Sequence, residues 1–110
     1  MRQFVIDEIT KEEKDAIEDY LRKTLEAAAM PGIYWLRLPD DLPGPAQEGH
    51  GECEPFYFGI ELTDRKVVFE LLIRNQSSLH CSCIAHATKA QRDFLLQYID
   101  VMLKELQIRA

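Results

Sequence analysis

The chain has 110 residues, with 13 Lys and Arg against 19 Asp and Glu and a formal net charge of −6. That balance, with no cluster of four or more Lys/Arg, excludes nucleic acid and anionic membrane surfaces as main partners, since both require a basic patch. A hydrophobic fraction of 46% marks a globular chain able to bury a core without staples, and a single domain over residues 1–110 is expected.

The amino-terminal stretch Met1-Arg2-Gln3-Phe4-Val5-Ile6-Asp7-Glu8 lacks an apolar core of signal-peptide length. No run approaches the ~20 apolar residues that span a bilayer. Three cysteines, an odd number, do not read as a disulfide framework, so a reducing, cytoplasmic location is expected.

Thr10 followed by Glu13 forms a capping box, and Ile17, Tyr20, Leu21, Leu25 and Ala28 recur at helical spacing. These predict a helix over residues 11–29, stopped by Met30-Pro31-Gly32. Its carboxylates pair with bases at i,i+4, as in Glu18–Arg22 and Asp19–Lys23, which describes a solvated face rather than a cation site. Residues 33–38, rich in β-branched and aromatic side chains, predict a strand ended by Pro39. The Pro, Gly and acidic residues of 39–55 sustain neither periodicity and predict a long loop.

Two strands with clean alternation follow, 56–62 and 66–74. A turn at Asp64-Arg65 sets Leu62 opposite Val67, Ile60 opposite Phe69 and Phe58 opposite Leu71, so that both apolar faces meet the core. Asn75-Gln76-Ser77-Ser78 is turn chemistry, and a fourth strand is expected at 79–86. It would direct Cys81 and Cys83 inward and His80, Ser82, Ile84 and His86 outward. A second capping box, Thr88 with Gln91, opens a helix over 89–107 whose buried stripe is Phe94, Leu95, Tyr98, Ile99, Met102 and Leu106. The expected fold is α+β: helix, four-stranded antiparallel sheet, helix, with both helices on one face in a two-layer sandwich.

Two features carry functional readings. All the cysteines and histidines fall in two windows, His50 and Cys53 in the long loop and His80, Cys81, Cys83 and His86 near the last strand. Thiolate and imidazole are zinc ligands, and His50, Cys53, Cys81 and Cys83 are the candidate set, with His80 as a substitute. Against it, alternate residues of an extended strand lie ~6.6 Å apart, whereas two sulfurs on one zinc must lie within ~4 Å. Buried cysteine as a small hydrophobe is the competing explanation. Cys53 with His50 nearby could suggest a nucleophile, but nothing marks an oxyanion hole or an orienting third group, so no enzyme is expected.

The second feature is the face of the sheet opposite the core. Tyr57, Val68, Leu72 and Ile84 would lie there with few charges, the composition of an interface. The leading reading is therefore a non-catalytic cytoplasmic interaction module that pairs with itself, or with another protein or peptide, through Tyr57, Val68, Leu72 and Ile84. It requires no cofactor. The alternative is a zinc-binding domain built on His50, Cys53, Cys81 and Cys83.

Overall fold

A computed structural model describes residues 2–110. Within them the chain runs β1 (Gln3–Ile6), α1 (Lys11–Thr24), β2 (Glu26–Ala27), β3 (Ile33–Arg37), β4 (Phe56–Leu62), β5 (Val67–Asn75), β6 (Ala85–His86) and α2 (Lys89–Leu106). A short 3-10 turn at Gly51–Cys53 interrupts the long loop. The fold is α+β, with two helices and a six-stranded antiparallel sheet among the described residues, rather than the expected four strands. The sheet order is β1-β5-β4-β3-β2, and β6 pairs with β5 alongside β1.

Both helices begin where their capping boxes require. The Thr10 hydroxyl accepts from the Glu13 N–H and the Thr88 hydroxyl from the Gln91 N–H, while each acidic or amide side chain returns a bond to its cap. Ile17 and Leu21 of α1 and Leu95, Ile99 and Met102 of α2 bury into the same core as Phe56, Phe58, Ile60, Leu62, Phe69 and Ile73. Phe94 stacks on Phe58 with ring centroids 6.3 Å apart, and Tyr98 meets Tyr20 at 5.9 Å and Thr24 Oγ1 at 2.6 Å. Burial of this apolar surface is the main driving force for folding.

The structure corrects four expectations. First, α1 ends at Thr24, not 29: Leu25 is already extended, and Glu26 and Ala27 pair with Trp35 and Tyr34. The hairpin is closed through Met30-Pro31-Gly32, with Gly32 at φ +81°, so sheet pairing overrides the helical propensity of residues 25–29. Second, residues 3–6 form a strand against Val67–Glu70 of β5.

Third, the central hairpin keeps the expected pairs Leu62–Val67 and Ile60–Phe69 but then bulges. Phe58 lies opposite Ile73 rather than Leu71, because Glu70, Leu71 and Leu72 together face Gly59. The missing side chain of Gly59 leaves room for the Glu70 carboxylate. A Cβ on Gly59 would fall 2.5 Å from the Glu70 carboxylate, to which Arg74 donates at 2.8 and 3.0 Å.

Fourth, residues 79–86 do not form a strand; only Ala85 and His86 pair, with Ile73 and Leu72. The Asn75 side-chain carbonyl accepts bonds from the N–H groups of Ser77 and Ser78 and from the Ser77 hydroxyl. These side-chain bonds give the backbone a turn in place of a ladder, and the chain stays looped until residue 85.

Candidate metal centre

Local geometry brings four of the sequence-selected residues to one point. The His50 and Cys53 backbones belong to a 3-10 turn in which the Cys53 N–H bonds the His50 carbonyl at 2.9 Å. Side chains three apart eclipse on such a turn, so His50 and Cys53 project to the same side. Beyond β5, the Ile84 N–H bonds the Cys81 carbonyl at 3.1 Å. This turn folds Cys81 and Cys83 towards each other and removes the 6.6 Å spacing that an extended strand would impose. The Cys83 N–H points at Cys81 Sγ, at 3.5 Å.

The result is compact. Cys53 Sγ lies 3.6 Å from Cys81 Sγ, and His50 Nδ1 lies 3.2 Å from the same sulfur. Ligand atoms from His50, Cys53, Cys81 and Cys83 all lie within 4.8 Å of one another, so the cluster could hold a metal ion. Tetrahedral zinc with Zn–S bonds of ~2.3 Å sets its sulfurs ~3.8 Å apart, close to the Cys53–Cys81 separation. Cys83 and Cys53 are buried, whereas His50 and Cys81 are half-buried. His80 and His86 are exposed and stand outside the cluster.

A second layer of polar side chains holds these residues. Asn75 Nδ2 donates to Cys83 Sγ at 3.2 Å, while Gln47 Nε2 donates to the Cys83 carbonyl at 2.7 Å. Gln47 Oε1 accepts from the Gly44 N–H and from Gln91 Nε2, and Gln91 also reaches the Leu42 carbonyl. Gln47, Asn75 and Gln91 are the buried polar residues of the described chain, and among those residues no buried side-chain nitrogen or oxygen lacks a partner. All three are spent on the loop and turn that carry the cluster. Ser82 Oγ lies 3.5 Å from His50 Nε2, an orientation that leaves Nδ1 facing the sulfurs.

The thiols have unequal electrostatics. Burial, then its bond to Cys81, pushes Cys53 up to about 12. Burial also raises Cys83. Cys81 falls to about 7, because the Cys83 backbone N–H and then the Cys83 thiol donate to its sulfur. Three thiols crowded this closely cannot all ionise unless a cation joins them, and thiolate is the form that binds metal. Binding would therefore release protons and weaken on acidification.

Sequence reasoning missed Gln47, Asn75, Gln91 and Ser82. Asn75 was visible only as a turn former and Gln91 only as half of a capping box; nothing in the order of residues showed that both also reach the cluster.

The residues expected to form a partner face differ in their surroundings. Tyr57 and Val68 are buried outside the main core cluster, Tyr57 against Trp35 at 5.8 Å and beside Glu26, 3.3 Å from its hydroxyl. Leu72 is half-buried on the bulged strand, and Ile84 packs against the core. A shallow groove remains over Gly59, between Trp35, Val68 and Glu70. Among the described residues no helix is long and apolar enough to cross a membrane.

Comparison with protein-family models, with curated proteins and with solved structures found no match to this chain.

Proposed function

We propose that the chain is a zinc-binding domain in which the ion is structural. The convergence of His50, Cys53, Cys81 and Cys83 ligand atoms within 4.8 Å carries this reading. The donor set, three sulfurs and one imidazole nitrogen, is a zinc set, and four protein ligands close a tetrahedral site with no position left for water or substrate. That closure favours a structural role over a catalytic one. The ion would tie the long 39–55 loop to the 81–83 turn at the end of the sheet where Phe56 pairs with Asn75. A reducing, cytoplasmic setting fits three free thiols.

Native mass spectrometry of the undenatured chain tests the proposal: one zinc per chain is expected. Cobalt substitution should give tetrahedral spectra whose sulfur-to-cobalt absorption falls in Cys83→Ser. A chain that stays metal-free in excess zinc refutes it.

Self-association is a second reading, which one observation favours. Met30 and Leu79, 70% and 76% exposed, line one groove with Ile33 and Trp35, a concentration of apolar surface that a second copy would bury. A dimer in the same spectrum, lost in Leu79→Lys, would support it. A monomer at high concentration would end it.

A further inference from the structure

We infer that Cys53 and Cys81 form an oxidation site, at which hydrogen peroxide converts the two thiolates to a disulfide and expels the ion; the inference rests on the zinc reading for the expulsion but not for the bond. Three features of the cluster point to this pair. Their sulfurs stand 3.6 Å apart, in direct hydrogen-bond contact. Cys81 is the half-buried thiol, whereas Cys53 and Cys83 are 8% and 0% exposed, so an oxidant from solvent meets Cys81 first. Cys83 is the fully buried thiol, its sulfur engaged by the Asn75 amide and its carbonyl by Gln47.

The chemistry balances as two steps. The Cys81 thiolate attacks the peroxide, forming an S–O bond as the O–O bond breaks, and the departing hydroxide takes a proton to become water. The Cys53 thiolate then attacks the Cys81 sulfur, forming the S–S bond as the S–O bond breaks, and a second hydroxide leaves and is protonated. Two thiolates lose two electrons in total, and the peroxide gains them as it becomes two waters. The cross-link leaves only His50 and Cys83 as donors, half of a tetrahedral set, and the ion is released. A dithiol reductant with zinc reverses the change. The loop and the turn stay tied in both states, by the ion when reduced and by the disulfide when oxidised.

The test treats the zinc-loaded chain with one equivalent of hydrogen peroxide under native conditions. The chain is expected to lose about 2 Da, as a disulfide requires. Peptide mapping should join Cys53 to Cys81, and a chromogenic chelator should detect one zinc released per chain. Cys83→Ser should still form the bond. Cys53→Ser should not, and should instead accumulate a Cys81 sulfenic acid that a dione reagent traps. Linkage to Cys83, zinc retained after the Cys53–Cys81 bond forms, or sulfinic acid at Cys81 without linkage would each overturn the inference. The same mapping on metal-free chain separates the two ideas. A chain that never takes up zinc but links Cys53 to Cys81 refutes the metal reading and supports the thiol pair; a metal-free chain that does not link refutes the pair.

Discussion

Stripping zinc from the chain with a chelator is expected to lower its melting temperature by roughly 15 °C, on the following chain-entropy grounds. An ion held between the 50–53 turn and the 81–83 segment closes a loop of roughly 30 residues, and a cross-link of that length removes unfolded-state entropy worth about 3.6 kcal/mol at 25 °C. Unfolding entropy of about 2.1 cal/mol/K per residue over the 110 residues amounts to about 0.23 kcal/mol/K, which converts that loss into the stated shift. The chain should lower its melting point without unfolding outright. The core built from Phe58, Phe69, Leu21, Leu95 and Ile99 lies on the sheet and helices, and its burial does not depend on the ion. Thermal scans by circular dichroism, with excess zinc and then with excess chelator, measure the difference. Cys83→Ser should melt near the chelated wild type and respond weakly to chelator. A shift under about 3 °C, or an equal chelator effect in Cys83→Ser, would refute the reasoning.

Asn75→Asp preserves the carbonyl that accepts from Ser77 and Ser78 but turns the donor on Cys83 Sγ into a repelling oxygen; zinc affinity should fall about 10- to 100-fold, and equal competition against a chelator would remove Asn75 from the site. Burial pushes the Tyr98 hydroxyl up to about 12 from an ordinary 10.0, against a smaller opposing effect of its bond to Thr24. The folded state therefore holds that proton more tightly than the unfolded chain, so its contribution is intact below pH 10 and is lost as pH rises towards about 12. Urea midpoints of wild type and Tyr98→Phe should run parallel below pH 10 and converge or cross above it; curves that stay parallel to the end would contradict this. Gly32→Ala should cost about 1–3 kcal/mol in urea unfolding, because φ is +81° and a Cβ would lie 2.8 Å from the Leu62 carbonyl; an unchanged midpoint would refute the strain.

What the order of residues determined was whatever depends on neighbours a few positions apart. The capping boxes at Thr10 and Thr88, the apolar stripe of the second helix, the alternation of residues 56–62 and the turn at Asp64-Arg65 are local signals, and each appears where its spacing places it. The four candidate ligands were legible as well, because thiols and imidazoles gathered in two windows. Their convergence was not. It depends on the 3-10 turn that eclipses His50 with Cys53, on the Asn75 bonds that keep residues 79–84 out of the sheet, and on Gln47 and Gln91 joining loop to helix across more than forty positions. The helical pattern read through residue 29 failed for a related reason. A strand at 33–37 offers Glu26 and Ala27 backbone partners, and a two-residue ladder outcompeted another turn of helix. Helix caps arise within one segment and form here where their spacing places them. Whether Cys81 and Cys83 diverge on a strand or meet on a turn is decided by bonds from residues distant in the chain, and those exist only once the fold has formed.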